Sequence, residues 1–360
     1  MFHNQISTIE LELSTKCNAR CPQCPRNFYG GAKWPTLPDN DLSLSWIKEK
    51  IPSDVLQSVD EVKLCGTYGE PIFNKDIIEI IKYLKKFNIT IVLNTNGGVR
   101  NKNFWQQLAS ILTHDDKVYF AIDGMHDTHQ LHRINVNLDT VIRNIRYFTE
   151  AQGNAAVTMC IFEHNQHQVK QVEDLCTELG VKDFSVKSTS RFITKDYQKT
   201  DHLDVLDITG AYSHTIKPTT LEPYVNDGYN TFEDLTYTNG CIDCTSKRNG
   251  WVSIGADGFV MPCGFLLDRF YGYEAEKSND RQRLFDLMTS AGGSEKANLN
   301  YTRFEDIVFS DSGWFQHIEK SWQQSHTVLQ RCYTLCNKKS TIMSQTNKFL
   351  KETWTGVSPF

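Results

Sequence analysis

The sequence has no long hydrophobic run and no large excess of either charge. No apolar stretch in its 360 residues approaches the roughly 18 residues that a membrane-spanning helix needs, and the N-terminus does not resemble a signal peptide. Lysine and arginine number 38 against 43 aspartates and glutamates, a net charge of -5, so no strong positive field attracts nucleic acid or an anionic membrane. These absences predict a cytoplasmic protein with neither as a partner.

Cysteine, in contrast, is frequent, with 11 residues. In a reducing compartment such thiols are available for metal rather than for disulfides, and thiolates select zinc, copper(I) or iron–sulfur clusters. Cys17, Cys21 and Cys24 form a C-x3-C-x2-C run after a short apolar segment. A structural zinc site normally has four protein ligands, so three thiols leave one position open. A zinc knuckle or three unrelated buried cysteines are the alternatives.

Short β-like runs alternate with amphipathic helical runs from residue 9 to about 187. This alternation is typical of successive βα units and a parallel sheet, and the expected fold class is α/β. Chemistry in such sheets lies at the C-terminal ends of the strands, where the cysteine run and the motifs described below are found. The six predicted strands are residues 9–13, 61–64, 90–93, 118–122, 155–162 and 184–187.

The C-terminal half of the chain has a different pattern. Residues from about 190 to 235 lack a clear period and are interpreted as a connecting segment. A second module follows, in which Asp257-Gly258 separates the apolar runs 251–254 and 259–261. Asp-Gly between alternating apolar residues predicts a β-hairpin.

A second group of cysteines belongs to this module. Its thiols are enough to close a metal centre completely, and a structural zinc ion is an alternative occupant. Cys241 is a fifth candidate that could replace one of the four. The last two ligands follow a helix expected over residues 314–329. The four candidates are Cys244, Cys263, Cys332 and Cys336.

Three further motifs follow strands of the predicted sheet. Gly69-Glu70-Pro71 comes after the second strand, Asn96 lies in an Asn-Gly segment after the third, and Asp123 ends the fourth. Each of the first two could also be an ordinary turn. Arg133 follows shortly after, and a guanidinium can bind a carboxylate through two hydrogen bonds; a solvated arginine is the alternative.

Other residues suggest metal or thiol chemistry less directly. His126, His129 and His132 are expected in a loop, and no carboxylate triad accompanies them, which argues against a histidine metal site. Three cysteines fall within apolar patterns of strands or helices and are expected to be small buried hydrophobic side chains. These are Cys65, Cys160 and Cys176.

In their order and positions, these motifs resemble radical S-adenosylmethionine (radical SAM) enzymes. The resemblance implies that Cys17, Cys21 and Cys24 bind three irons of a [4Fe-4S] cluster and that SAM chelates the fourth iron through its amino and carboxylate groups. An electron then breaks the sulfonium and frees a 5′-deoxyadenosyl radical. In this family a Gly-Gly-Glu-Pro-like segment binds the SAM amino group; here Tyr68 stands where the first glycine is usual.

The resemblance also implies roles for residues farther along the chain. The segment with Asn96 faces the SAM ribose, and Asp123 precedes the arginine, Arg133, that pairs with the SAM carboxylate or with an anionic substrate. The spacing from Cys244 through Gly258 to Cys263 resembles the twitch domain, a short form of the SPASM domain. It implies one fully ligated auxiliary [4Fe-4S] cluster, which passes an electron or helps to place the substrate.

The implied architecture is a partial (β/α)6 TIM-like barrel followed by a small α+β twitch domain with a β-hairpin. The expected boundaries are 1–200 for the barrel, 201–235 for the connecting segment, 236–340 for the twitch-like domain and 341–360 for a C-terminal helix or tail.

The expected activity is reductive cleavage of SAM followed by hydrogen-atom abstraction from a peptide or a small metabolite. Flavodoxin or ferredoxin is the expected reductant. The few residues before the first strand argue against leader-peptide recognition, and the four auxiliary cysteines argue against the molybdenum-cofactor GTP cyclase activity. A zinc-stabilised binding module and a two-cluster electron-transfer protein remain the alternatives. No catalytic acid or base is assigned.

Overall fold

The computed structural model describes residues 5–189, 191–192, 200–225, 242–271 and 279–337. Cys241 and the predicted tail 341–360 lie outside the described residues. Most of the described strands form one sheet with the order β10-β9-β1-β2-β3-β4-β5-β6, and a separate pair is formed by β7 and β8. The strands are β1 (Thr8–Leu11), β2 (Glu61–Leu64), β3 (Thr90–Thr95), β4 (Lys117–Ala121), β5 (Ala155–Cys160), β6 (Asp183–Lys187), β7 (Leu203–Leu206), β8 (Tyr212–Ile216), β9 (Trp251–Ile254) and β10 (Val260–Met261).

Helices connect the parallel strands and complete the C-terminal part. None of the helices in the described ranges combines the length and the apolar character that crossing a bilayer would need. The α-helices are α1 (Leu44–Lys50), α2 (Ser53–Ser58), α3 (Ile77–Leu84), α4 (Lys102–Ile111), α5 (His129–His132), α6 (Leu138–Glu150), α7 (Val169–Glu178), α8 (Thr245–Asn249), α9 (Gly264–Leu267), α10 (Asn279–Ser290), α11 (Phe304–Val308), α12 (Trp314–Ser321) and α13 (Gln330–Cys336).

Side chains alternate along each strand, so the sheet has one apolar face and one more polar face. Leu11 pairs with Leu64, Leu64 with Leu93, and Leu93 with Val118, so these side chains form one row across four parallel strands. All four are buried in the main core together with the helices. Because successive side chains of a strand point to opposite faces, residues such as Glu10 lie on the other face of the sheet, which lines the inside of the partial barrel. The six predicted strands and the partial TIM-like barrel are confirmed.

The predicted hairpin is present, but it does not stand apart from the barrel. Strand β9 pairs in parallel with β1, from Thr8 opposite Trp251 to Leu11 opposite Ile254, and β10 then pairs with β9 in the antiparallel direction. The second module therefore extends the sheet of the first, next to the strand that leads into the cysteine run.

Two other sequence predictions need correction. The predicted connecting segment contains the antiparallel pair β7 and β8, whose buried side chains pack with Phe162 and Phe192. The helix predicted over 314–329 ends at Ser321, and Cys332 and Cys336 lie on a separate helix, α13. The turn between α12 and α13 includes Thr327, whose hydroxyl donates to the Ser321 carbonyl at 2.9 Å.

Candidate functional site

The first three cysteines lie in the loop that leaves the C-terminal end of β1. Cys21 is buried, while Cys17 and Cys24 are half-buried. The amide of Cys24 donates to the carbonyl of Cys21 at 3.0 Å, which closes a turn within the run, and the amide of Arg20 donates to the carbonyl of Ile134 at 3.0 Å. The loop is thus folded on itself and fixed against the segment that follows α5.

Polar groups from neighbouring strand ends point at the sulfurs. The amide of Ala19 lies 3.3 Å from the Sγ of Cys17, and Nδ2 of Asn96 lies 3.7 Å from the same atom. Nη1 of Arg133 lies 3.8 Å from the Sγ of Cys21. Hydrogen bonds to cysteine sulfur are among the means by which a protein tunes an iron–sulfur cluster.

Burial raises the pKa of all three thiols, that of Cys21 to about 11. Mutual repulsion acts in the same direction, since charge on Cys24 raises the pKa of both Cys17 and Cys21. Thiolates are the form that binds metal, and a nearby cationic centre would overcome these two costs. The three thiols therefore form a site whose chemistry fits a cationic cluster.

No three histidine, cysteine, aspartate or glutamate side chains converge on the position of a single metal ion within the residues that the structure describes. In a four-iron cluster each cysteine binds its own iron, so its ligands need not surround one point. The three histidines have separate partners: His126 contacts Asp139 at 2.8 Å, His129 accepts from the amide of Asp123, and His132 contacts the Asp123 carboxylate. His126 precedes α5, whereas His129 and His132 lie on it, so the prediction of a loop is wrong for these two residues.

The loop after β2 presents a buried carboxylate with one oxygen unused. Oε2 of Glu70 accepts from the amide of Asn96 at 2.7 Å, whereas Oε1 is buried and has no hydrogen-bond partner among the described residues. Burial raises the pKa of Glu70 to about 7, although the Asn96 amide and, more weakly, the Thr95 side chain and the Ile72 amide act in the opposite direction. Buried acceptors are normally satisfied, so Oε1 fits a donor such as the SAM amino group.

The glycine of this loop is required by a close approach of two backbone segments. A Cβ on Gly69 would lie 1.8 Å from the carbonyl oxygen of Ser14, at the exit of β1. The amide of Glu70 donates to the carbonyl of Lys16 at 2.8 Å, and Pro71 begins a 3-10 turn over Pro71–Phe73. These contacts place the loop directly against the cysteine run.

Asn96 connects the end of β3 to the cysteine loop. Its Nδ2 donates to Oδ1 of Asn18 at 2.9 Å, and its Oδ1 accepts from the amide of Gly98 at 2.8 Å. Both polar atoms of the Asn96 side chain are therefore hydrogen-bonded to other groups of the protein. Nδ2 of Asn94, in the same strand, is buried and has no hydrogen-bond partner among the described residues, which makes it the open donor at this strand end.

Asp123 and Arg133 form a buried ion pair behind the cysteines. Oδ2 of Asp123 accepts from Nε of Arg133 at 2.5 Å and contacts Nδ1 of His132 at 2.7 Å, while Oδ1 accepts from the amide of Cys160 at 2.7 Å. Burial alone would raise the pKa of Asp123, but the charge of Arg133 and the contact with His132 hold it well below its usual value. Both carboxylate oxygens of Asp123 are used by protein groups, so its contact with SAM, where the resemblance places it, would be indirect and made through Arg133.

The same pair decides between the two interpretations of Arg133. Its side chain is mostly buried, with about a fifth exposed, and Asp123 and the Cys21 thiol keep its pKa above the usual value despite burial. Arg133 is therefore not a solvated arginine. Asp123 holds Nε, and Nη1 is directed at Cys21.

The four auxiliary candidates come together from three separate segments. Cys244 precedes α8, Cys263 precedes α9, and Cys332 and Cys336 lie one turn apart on α13. Residues four apart lie on one face of a helix. Charge on Cys244 and on Cys332 raises the pKa of other members of the group, because the four thiols are close enough to repel one another when ionised.

Backbone contacts hold this second group. The amide of Asp243 donates to the carbonyl of Cys336 at 2.8 Å. The thiols of Cys244 and Cys336 also share a hydrogen bond, which lowers the pKa of Cys244 and raises that of Cys336. Asp280 accepts from the amides of Gln330 and Arg331 and so caps the first turn of α13. Burial raises the pKa of the remaining two thiols.

The predicted buried cysteines have different environments. Cys65 and Cys176 are buried, whereas Cys160 is half-buried. The Sγ of Cys65 donates to Oε1 of Glu10 at 3.0 Å, so this thiol has a polar partner on the interior face of the sheet. It is not simply a small hydrophobic side chain.

Sequence reasoning missed Glu12, which supports the Glu70 loop. Its Oε1 accepts from the amides of Tyr68 at 2.6 Å and Gly69 at 3.1 Å. Burial raises its pKa to about 8, and these bonds act in the opposite direction. A glutamate between Leu11 and Leu13 in an otherwise apolar run was the available signal, since an acid is rarely buried without such partners.

A known protein family shares the part of the chain that carries this arrangement. The family model described as the radical SAM superfamily matches residues 11–176, which include the first three cysteines, Glu70 and the Asp123–Arg133 pair. Residues 11–176 are therefore a radical SAM domain. The protein is an enzyme, and this domain implies SAM and a [4Fe-4S] cluster as its cofactors.

Individual radical SAM relatives are distant. A probable GTP 3′,8-cyclase from Methanococcus maripaludis is 24% identical over 73% of this chain and 86% of its own. A tungsten-containing aldehyde ferredoxin oxidoreductase cofactor-modifying protein from Pyrococcus furiosus is 21% identical over 87% of this chain and 83% of its own. That this chain lacks cyclase activity stays a prediction.

A solved structure extends the likeness to the fold. Streptococcus suis SuiB bound to the precursor peptide SuiA has a TM-score of 0.55 and 13% sequence identity, and the match covers 100% of this chain and 76% of that one. At this identity the likeness shows that the two chains share a fold.

Proposed function

We propose that this radical SAM enzyme binds its SAM-cleaving cluster through Cys17, Cys21 and Cys24 and a second, fully ligated cluster through the auxiliary group. The auxiliary group is Cys244, Cys263, Cys332 and Cys336. By this proposal, residues 236–340 form a twitch-like domain, and the radical removes a hydrogen atom from a peptide or small metabolite. Flavodoxin or ferredoxin is the proposed class of reductant.

The observation that carries the proposal is the buried, unpartnered oxygen of Glu70 beside a loop with three thiols. Glu70 influences the pKa of Cys17 through its charge, so the carboxylate and the first cysteine are neighbours. Oε1 has no hydrogen-bond partner among the described residues. A ligand that completes the cluster through an amino group, whose N–H can donate, would satisfy both the open position and this acceptor.

The residues around the site have distinct proposed roles. Glu70 and the backbone of Gly69 and Pro71 orient the SAM amino group, while Asn96 fixes the cysteine loop to β3 and orders the turn that faces the ribose. Asp123 acts as a positioning residue for Arg133, which faces Cys21. When bound, the reduced cluster supplies the electron that breaks the sulfonium of SAM. The surrounding buried residues keep water away from the reactive centre.

The auxiliary group is proposed as a closed site. Its four thiols leave no position for SAM, in contrast to the first group. The group is close to β1, because β9 pairs with β1 and Cys263 precedes the helix α9 that follows the hairpin. Glu10, on the inner face of β1, raises the pKa of Cys263 through its charge. This location is suited to passing an electron to or from a substrate in the barrel, or to holding the wall against which the substrate lies.

We propose two substrate classes, a peptide and a small metabolite. SuiB, which shares this fold, is described with a precursor peptide bound, and a peptide is one proposed class for this chain. The interior face of the sheet also offers polar groups, including Glu10, Thr158 and Lys187, that suit a small polar metabolite.

The experiment that tests the proposal is anaerobic reconstitution with iron and sulfide, followed by a dithionite-driven assay for 5′-deoxyadenosine. The wild-type protein is compared with the Cys17→Ala/Cys21→Ala/Cys24→Ala variant. We expect about eight irons in the wild type and about four in the variant, with nucleoside produced only by the wild type. A control variant, Cys176→Ala, removes a buried thiol on α7 and should keep both the iron and the nucleoside.

Two outcomes contradict the proposal. Zinc in place of iron after reconstitution would indicate the zinc-stabilised binding module. A protein that holds all its iron and makes no nucleoside would indicate the electron-transfer alternative.

A further inference from the structure

Tyr68 stands at the start of the Gly69-Glu70-Pro71 loop and is buried, with 3% of its surface exposed. The loop is fixed on its inner side, since the amides of Tyr68 and Gly69 donate to Glu12 and the Tyr68 carbonyl accepts from Nη1 of Arg26 at 3.2 Å. The side chain therefore leaves the loop in one defined direction.

That direction leads to the second module. The Tyr68 hydroxyl donates to the carbonyl of Leu267 at 2.9 Å and accepts from the amide of Tyr271 at 3.2 Å. The two tyrosine rings meet edge to face, with centroids 5.6 Å apart. Tyr271 in turn donates from its own hydroxyl to Oδ2 of Asp257 at 3.0 Å, in the turn of the β9–β10 hairpin.

The contacted segment begins at an auxiliary cysteine. Cys263 precedes α9, which spans Gly264–Leu267, so Leu267 is the last residue of the single helical turn that starts at this thiol. A shift of Cys263 would move the Leu267 carbonyl, and the Tyr68 hydroxyl would lose its acceptor. At the other end, a shift of Tyr68 would move Gly69 and Glu70, because the three residues are consecutive.

We propose that Tyr68 is a positioning residue that couples SAM binding to the auxiliary cysteine group, through its hydroxyl contacts with Leu267 and Tyr271. This inference rests on the proposed function, in which the loop binds SAM and Cys263 binds the auxiliary cluster. SAM then binds most tightly when α9 is held in place by a ligated Cys263. By thermodynamic reciprocity, bound SAM holds α9 more firmly.

The test measures SAM affinity by anaerobic equilibrium dialysis of the reconstituted protein, without reductant so that SAM is not cleaved. Tyr68→Phe keeps the ring and its packing and removes only the hydroxyl. We expect the dissociation constant of SAM to rise about three- to tenfold, the range for losing one neutral hydrogen-bonding group. Iron content should equal that of the wild type. Tyr301→Phe, at an exposed position in the same module, is the matched control and should bind SAM like the wild type.

A double-mutant cycle separates coupling from simple packing. Cys263→Ala should weaken SAM binding by a similar factor in the wild-type background and by less than about twofold when Tyr68→Phe is already present. Independent, multiplicative losses would overturn the coupling, as would unchanged SAM affinity in Tyr68→Phe.

A measurement on the wild type does not depend on the folding of any variant. Hydrogen exchange of the peptide covering residues 264–271 is compared with and without saturating SAM. Slower exchange, including at the amide of Tyr271, is expected, whereas unchanged exchange with SAM bound contradicts the inference. Failure of the proposed function would be distinguishable, because the wild type itself would then bind neither SAM nor the iron of the first cluster.

Discussion

The two cysteine groups differ in the number of their thiols and in what holds those thiols in place. The first group has three thiols on one loop, and its neighbours are side chains from other strand ends, notably Glu70, Asn96 and Arg133. The second group has four thiols from three segments, fixed by backbone contacts and by the thiols themselves. By the proposed function, the first group needs these side chains because SAM fills its open position, whereas the second group is completed by its own four thiols.

The largest expected effect concerns the support of the first group by the Asp123–Arg133 pair. Asp123→Asn removes the charge that pairs with a mostly buried arginine, and breaking such a pair costs about 3 to 5 kcal/mol in the free energy of unfolding. Chemical denaturation measures the loss. Asp139→Asn is the control, because its carboxylate is exposed and pairs only with His126 among the described residues. Equal stability of the two variants would show that the pair does not support the site.

The next effect concerns the Glu70 oxygen that we propose binds SAM. Glu70→Gln replaces a charged acceptor by a neutral one, and the dissociation constant of SAM should rise about 10- to 100-fold, since hydrogen bonds to charged groups contribute about 1.5 to 3 kcal/mol. Equilibrium dialysis without reductant measures it. Glu79→Gln, on the exposed face of α3, should bind SAM normally, and a normal affinity for the Glu70 variant would remove Glu70 from the SAM site.

The pH dependence of SAM binding sharpens the same point. The pKa of Glu70 is about 7, so the carboxyl is mostly protonated at lower pH and must lose its proton to accept, as an anion, from the SAM amino group. SAM affinity should therefore rise with pH, by about tenfold between about pH 6 and about pH 8. The Glu70→Gln variant should show a much smaller rise, and an equally steep one in that variant would assign the titration to another group.

The smallest expected effect concerns the second group. Asp280→Ala removes the acceptor for the amides at the start of α13, and the loss of a helix cap costs about 1 kcal/mol. The expected readout is faster release of iron from the Cys17→Ala/Cys21→Ala/Cys24→Ala protein to a chelator. Asp286→Ala, an exposed position on the same helix α10, should release iron at the unchanged rate. Release that is equally fast in both would show that the cap does not hold the cysteines.

The alternation of apolar residues was sufficient to predict the six strands of the barrel, because each strand has a buried face against the helices. It could not predict that β9 pairs with β1, since the apolar residues of a strand do not identify a partner more than 240 residues away. The pair β7 and β8 was also missed. Its strands are short, and several of their side chains are exposed.

The sequence predicts where the site residues lie along the strands, but it does not predict the directions in which their side chains point. The sequence places Asp123 at the end of β4, and the structure agrees. The direction of its carboxylate depends on Arg133, His132 and the amide of Cys160, which come from other parts of the chain. The same reason hides the contacts of Tyr68, whose partners lie about 200 residues later.

Mössbauer spectroscopy of protein reconstituted with iron-57, recorded with and without SAM, tests the central claim most directly. If the first group is open and the second closed, SAM will change the signal of one iron site in the wild type and will change nothing in the Cys17→Ala/Cys21→Ala/Cys24→Ala variant. A SAM-dependent change in that variant, or none in the wild type, would contradict the assignment of the open position to the loop after β1.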